Sequence, residues 1–193
     1  NAPYSYLDKY ILTGALRYDG SDIIGNDNQF TPLWNVGLRL NLHREEFMKR
    51  WMWVDQFAVR GGFGYTGSID KNALPFVVMT LGQSVVYDGQ TVPTSFSYPN
   101  PNVKWQTKQD MNVGLDLSLF DYRLELGVNY YHNITRDVLD RKALPYSSGR
   151  NEVTENVADI YNNGWEIDLG VTLLKNKSFQ WYAKANIAIN DNK

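Results

Sequence analysis

The chain has 193 residues, with 19 Lys and Arg against 21 Asp and Glu, for a formal net charge of −2 and a sequence pI near 5.7. That balance excludes a global basic field of the kind that draws nucleic acid, and the absence of cysteine excludes disulfide staples, thiolate metal sites and cysteine nucleophiles. No run of about 18 apolar residues occurs, which excludes a helical membrane protein, yet 13 Tyr and 6 Trp accompany a mean hydropathy of −0.43.

Apolar and polar residues alternate with period two along most of the chain, the pattern of strands with one apolar face. In the first predicted strand Tyr10, Leu12, Gly14, Leu16 and Tyr18 share a face, opposite Lys9, Thr13, Ala15, Arg17 and Asp19, with Ile11 the one apolar intruder. The second sets Trp34, Val36, Leu38, Leu40 and Leu42 against Asn35, Gly37, Arg39 and Asn41. Phe57, Val59, Gly61, Phe63 and Tyr65 form the apolar face of the third, and Met111, Val113, Leu115, Leu117 and Leu119 that of the fourth. The fifth carries Leu124, Leu126, Val128 and Tyr130, the sixth Trp165, Ile167, Leu169, Val171 and Leu173. In the seventh, Phe179, Trp181, Ala183, Ala185, Ile187 and Ile189 oppose Gln180, Tyr182, Lys184, Asn186 and Ala188. No charge falls on the apolar face of any of them.

The connections alternate in length. DGSDIIGNDNQFTP joins strands one and two, the stretch from about Ser68 to Lys104 joins three and four, and that from about Asn133 to Asp159 joins five and six. Between four and five there is only Phe120-Asp121-Tyr122, and between six and seven Leu174 to Ser178. The connection from His43 to Gln56, containing REEFMKRW, is intermediate and reads as a short helical or extended excursion. In an up-and-down sheet every second connection lies at the same end, so one rim carries the long loops and the other the tight turns.

Strands of about 9 to 11 residues with this asymmetry predict an all-β, antiparallel up-and-down transmembrane barrel segment of the bacterial outer membrane. Lipid cannot satisfy backbone hydrogen bonds, so a spanning sheet must close and present apolar side chains outward. Aromatic residues gather at strand ends, Tyr18, Trp34, Tyr65, Tyr130 and Trp165 toward the long loops and Tyr10, Phe57, Phe120, Phe179 and Trp181 toward the turns, as membrane interfaces favour. The opposite face is too rich in charge for a tightly packed interior and suits a wide, wet or plugged lumen. A soluble carbohydrate-binding β-sandwich, its apolar faces buried against each other, is the alternative, as is an outer-membrane adhesin.

The ordered blocks DKYILTGALRYDGS, FTPLWNVGLRLN, EEFMKRW, FAVRGGFGYTGS, the run from Pro99 to Leu139 and NVADIYNNGWEIDL resemble the later barrel region of SusC/RagA-type TonB-dependent outer-membrane transporters. The Asn-Pro-Asn-x-x-Trp block at Asn100 to Trp105 and the Asn-x-Gly-Trp-Glu block at Asn162 to Glu166 are the most specific. The resemblance implies a barrel of roughly 22 strands around an N-terminal plug. It also implies TonB-energised uptake of oligosaccharide or peptide, with a SusD-like surface lipoprotein as lid. Residues 1–193 are then expected to be a fragment of the barrel domain, its edges paired by the remainder of the same barrel, with plug, TonB box and terminal strand outside it.

No catalytic constellation is present: His43 and His132 are the only histidines and no GxSxG or HExxH occurs. His132 reads as interfacial. DGSDIIGNDN has the composition of a calcium loop but places Ile24 and Phe30 where such a loop needs Gly and Glu, so a solvated turn is the reading, and neither metal nor cofactor is expected. Ligand contact is expected in the long loops, where Tyr87, Tyr98, Trp105, Tyr146 and Tyr161 stand among Asp88, Gln90, Asn100, Asn102 and Arg150. Flat rings beside hydrogen-bonding groups suit sugars or peptide side chains.

Overall fold

The computed structural model describes the chain except residues 1, 23, 25–28, 70–76, 88–89, 98–102, 149–151 and 177, with only the backbone of 80–87 and 90–97 described. Among the described residues, ten strands form two sheets. An eight-stranded antiparallel sheet runs in the order β1-β2-β3-β4-β7-β8-β9-β10, and β5 with β6 makes a separate two-stranded ribbon. The strands are β1 (Ala2–Tyr6), β2 (Tyr10–Gly20), β3 (Phe30–Asn41), β4 (Val54–Ser68), β5 (Val78–Tyr87), β6 (Gln90–Ser97), β7 (Gln106–Leu119), β8 (Leu124–Ala143), β9 (Glu152–Lys175) and β10 (Gln180–Asn192).

All seven predicted strands are present, as β2, β3, β4, β7, β8, β9 and β10, each paired with the next. Their alternation is what holds the register. One row across the sheet reads Leu12, Leu38, Gly61, Val113, Tyr130, Trp165 and Ile189, and the row below it Tyr10, Leu40, Val59, Leu115, Val128, Ile167 and Ile187. A slip of one residue in any pair would turn that strand's apolar side chains to the other face, so each interface reinforces its neighbours.

No second layer covers this apolar face among the described residues. Leu16 is 79% exposed and Ile189 63%, and the residues that are buried, such as Met48, Ala58, Val103 and Leu119, are scattered and do not form one core. A sandwich needs a partner sheet to bury its apolar faces, and the described residues form none.

The rims sort as the connection lengths predict. The turns after β1, β3, β7 and β9 lie at one end, the longer connections after β2, β4 and β8 at the other. The intermediate connection between β3 and β4 joins the short rim, folded into two 3-10 turns, Leu42–Arg44 and Met48–Arg50. Met48 is 5% exposed, so this turn packs inward. The Nδ1 of His43 meets the Phe57 carbonyl at 3.2 Å, a contact in which the ring nitrogen donates.

Three features depart from the expectations. β1 adds an eighth strand to the sheet, and β5–β6 builds a ribbon inside the segment from Ser68 to Lys104. Most of the expected loop from Asn133 to Asp159 is strand: β8 and β9 continue as a hydrogen-bonded ladder to the pair Ala143 and Glu152. The β8–β9 extension carries Val138, Leu139, Val153 and Val157 among charged residues without strict alternation, so period-two reading passes over it.

Candidate functional site

The face opposite the apolar one is polar and short of side-chain bulk. Gly37, Gly62, Gly64, Gly114, Gly127, Gly164 and Gly170 all lie on it, each shown by the register to alternate with the apolar rows. Side chains from adjacent strands lie across several of them. Asn112 covers Gly62, where an added Cβ would stand 2.7 Å from its Oδ1, and the Tyr182 ring covers Gly170, its hydroxyl donating to Glu125 at 3.2 Å. Glycine here lets long polar side chains lie along the wall instead of standing into the space it faces.

A trough of about 260 Å³ opens on this wall over Gly37, Gly62 and Gly64. Thr13, Asn35, Thr66, Asp110 and Asn112 line it. Thr13 donates to the Gly37 carbonyl at 3.3 Å and Thr66 to Asp110 at 3.4 Å. Chemically it offers hydroxyl, amide and carboxylate groups beside Val36, Phe63 and Tyr65, which complete its lining.

Charge on the wall is grouped. Arg39 and Arg60 meet the Asp116 carboxylate at 3.2 and 3.5 Å, while Lys184 faces Asp168 at 3.5 Å. The ions are partly exposed and paired across strands, which suits a wall facing water.

The five expected ligand residues fall in different places. Tyr98 lies outside the described residues, as do Asp88, Asn100, Asn102 and Arg150. Tyr87 ends β5 opposite Gln90, with its side chain outside what is described. Tyr146 sits on a 3-10 turn at the tip of the β8–β9 extension and is 88% exposed. Trp105 is partly buried, and its indole N–H donates to the Gln29 carbonyl at 3.2 Å, so the ring ties the segment before β7 to the connection after β2. Tyr161 is a strand residue and not a loop residue: it pairs with Ile134 inside β9 and its register puts it on the apolar side. The described rings, Trp105, Tyr146 and Tyr161, thus lie on three different elements.

Two anchors of the long-loop rim were not expected. The Asn156 amide accepts from Lys104 N at 2.9 Å and donates to Lys104 O at 3.2 Å, clamping the segment before β7 onto β9. Ile24, assigned to a solvated turn, is 2% exposed, and Tyr18 stacks on Phe30 at 5.5 Å beside that connection. Only the apolar character of Ile24 could have signalled this. His132 pairs with Met111 on the apolar side of β8 and bonds Asn163.

Among curated proteins, the chain is similar to TonB-dependent receptor P3 of Formosa agariphila, 32% identical over 98% of this chain and 19% of that protein. It is 28% identical to TonB-dependent receptor SusC of Bacteroides thetaiotaomicron over 98% of this chain and 20% of SusC. The chain thus spans about a fifth of the length of the curated relatives it matches. A solved structure of the RagAB peptide transporter superposes with a TM-score of 0.85 at 25% identity, over 99% of this chain and 21% of the other. The siderophore receptor PirA of Pseudomonas aeruginosa matches at a TM-score of 0.60 and 14% identity, over 95% of this chain and 32% of that one, a likeness of fold alone. The model of the TonB-dependent receptor-like β-barrel family matches residues 2–193, and the chain belongs to that family.

Proposed function

We propose that this chain is a section of the wall of an outer-membrane TonB-dependent importer that takes up oligosaccharide or peptide. The observation that carries the reading is the two-sided sheet, a continuous uncovered apolar face backed by a glycine-rich polar one. The first side suits hydrocarbon, since closure of the ladder satisfies every backbone group without water. The second suits a solute path. No chemistry is required of the wall: a solute passes along hydroxyl, amide and paired ionic groups once whatever fills the lumen moves aside, with the energy supplied through TonB.

The similarity to SusC and to the RagAB peptide transporter supports a partner of the SusD type, a surface lipoprotein seated over the long-loop rim. Tyr146 on the β8–β9 connection and the β5–β6 ribbon in the connection after β4 are what we assign to lid or ligand contact, with Tyr87, Tyr98 and Trp105 falling in that same connection of the sequence. Tyr161, on the apolar side, suits the membrane interface better than ligand.

The test is fractionation of the full-length parent from native cells, with mass spectrometry of what copurifies in detergent. Recovery in the outer membrane with a surface lipoprotein is expected. Recovery as a soluble monomer without detergent would overturn the reading.

A further inference from the structure

The apolar face is notched at two glycines, Gly14 on β2 and, in the middle of β4, Gly61. The cross-strand partners of Gly61 are Leu38 and Val113, and the alternation places an apolar side chain at nearly every equivalent position of the face. A Cβ at Gly61 would meet only the Asn112 carbonyl oxygen, at 3.9 Å. The notch is thus open, unlike Gly37 and Gly62 on the polar face, where a neighbouring polar side chain already occupies the space at 2.7 Å.

A groove of about 270 Å³ opens over Gly61, walled by Val36, Leu38, Phe63, Met111 and Val113. Its long-loop side is stiffened by an aromatic cluster. Phe63 lies 5.6 Å from Trp34 and 5.6 Å from Tyr65, the latter edge-on at 89°. Immediately toward the long-loop rim the same face turns polar. The Tyr65 hydroxyl donates to Gln109 at 3.1 Å, and His132, opposite Met111, bonds Asn163. These groups are neutral donors and acceptors, and the first cation beyond them on this side of β7 and β8 is the exposed Arg136, opposite Thr107.

An apolar groove leading to a neutral hydrogen-bonding edge matches an amphiphile lying along the strand direction. We propose that the Gly61 groove holds one acyl chain of an outer-leaflet lipid whose hydroxyl-bearing head group lies against Tyr65, Gln109 and His132. The proposal rests on the reading of this face as lipid-facing with the long-loop rim outward. It adds that a lipid is held in place at the Gly61 groove. Burying acyl carbon against Val36, Leu38 and Val113 supplies the attraction, and the missing side chain at Gly61 supplies the space.

The experiment is native mass spectrometry of the full-length parent extracted from outer membranes in mild detergent. Wild type is compared with Gly61→Leu, which fills the notch, and with Ala185→Leu, which adds the same bulk elsewhere on the same face. A retained lipid mass is expected on wild type and Ala185→Leu, reduced about tenfold or more on Gly61→Leu. Phe63→Ala, which removes the groove's wall without adding bulk, is expected to show the same loss and serves if Gly61→Leu does not assemble. Wild type recovered from the outer membrane without lipid, or equal retention by wild type and the groove variants, overturns the proposal and leaves the transporter reading standing. A dimer of the parent that Gly61→Leu dissociates would also overturn it, since a second copy would then cover the groove. Recovery of the parent as a soluble protein would remove the transporter reading as well.

Discussion

Arg39 of β3 and Arg60 of β4 are direct cross-strand partners on the polar wall, two like charges face to face. Opposed like charges destabilise a strand pair. The Asp116 carboxylate on β7 binds both guanidinium groups, at 3.2 and 3.5 Å, and Gly114 beside it leaves room for the Arg60 side chain to lie across β7. The three side chains are between about a quarter and a half exposed, so screening keeps each ion pair small. Asp116→Asn is expected to lower the unfolding free energy by about 0.5–1 kcal/mol in an otherwise wild-type parent, and by clearly less in an Arg60→Gln background. A double-mutant cycle on urea unfolding in lipid vesicles measures the difference, and additive losses would mean that Asp116 does not couple to Arg60.

Leu115 and Asp116 are adjacent on β7 and point to opposite faces, Leu115 in the row of Val59 and Val128, Asp116 in the row of Ala58 and Gly127. Leu115→Arg places a charge near the middle of the apolar band and is expected to impair assembly at a cost of about 2–4 kcal/mol. Asp116→Asn should leave assembly intact. Heat-modifiable mobility on gels of outer-membrane fractions reads both, and equal tolerance would mean the faces are assigned the wrong way round.

Glu45 in the turn between β3 and β4 accepts from the Tyr10 hydroxyl at 2.7 Å and pairs with Lys9 at 3.1 Å. The Tyr10 hydrogen bond first, and the Lys9 hydrogen bond second, hold its carboxyl below the usual carboxylate range. A carboxyl depressed in the folded state contributes stability that is complete above its unfolded pKa and is lost as pH falls through the depressed value. The gap in unfolding midpoint between wild type and Glu45→Gln should therefore be widest near about pH 7 and close on acidification toward about pH 3. A gap independent of pH would remove Glu45 ionisation as its cause.

On the short rim Trp53 stacks on Trp51 at 5.9 Å and 11° and on Phe120 at 5.9 Å and 24°, so that one column of rings joins the β3–β4 and β7–β8 turns. Trp51, Trp53 and Phe120 are each about half exposed, as rings at a membrane interface are. Trp53→Ala breaks two stacks and should cost about 1–3 kcal/mol, whereas Trp53→Phe should recover most of it. Thermal unfolding of the parent in detergent separates the two, and equal losses would argue against stacking as the cause.

Among the described residues, β5 and β6 pair with each other in a sheet separate from the eight-stranded one. Its excision with a short linker is expected to leave barrel assembly unchanged and to reduce uptake or lid docking, measured by growth on the transported nutrient and by lipoprotein copurification. Unchanged uptake and docking would assign the ribbon no part in transport.

Within the apolar band, side chains were enough to read the sheet. From Tyr10 to Tyr18 or from Met111 to Leu119, every second residue must meet one environment, and the alternation states which. Outside the band that constraint lapses. In the β8–β9 extension apolar and charged residues do not alternate strictly, so Tyr161 looked like a loop residue although it sits in a ladder opposite Ile134. β1 has only five residues, too few to establish a period. The bulges at Asp55 and Leu173 break the alternation only locally and show themselves through the partner strand's register.

The candidate site was legible in kind and not in detail. The polar face and its glycines are plain in Arg39, Gly62, Gly114 and Asp116, but that Asp116 serves two arginines depends on pairing 77 residues apart along the chain. Trp105 reads as a ring available to ligand until its indole N–H is seen bound to the Gln29 carbonyl. The Gly61 groove follows the same logic, because a missing side chain becomes a cavity only when Leu38 and Val113 are known to flank it.

The order of apolar and polar residues alone determined that this chain forms long antiparallel strands with one oily face, because hydrocarbon and water each accept only one kind of side chain. Which residues share a row, and so which charges are neutralised, which rings stack and where the face opens at Gly61, was decided by the tertiary structure. Each strand's register is set by its neighbours' faces as much as by its own, and no local stretch of sequence contains that information.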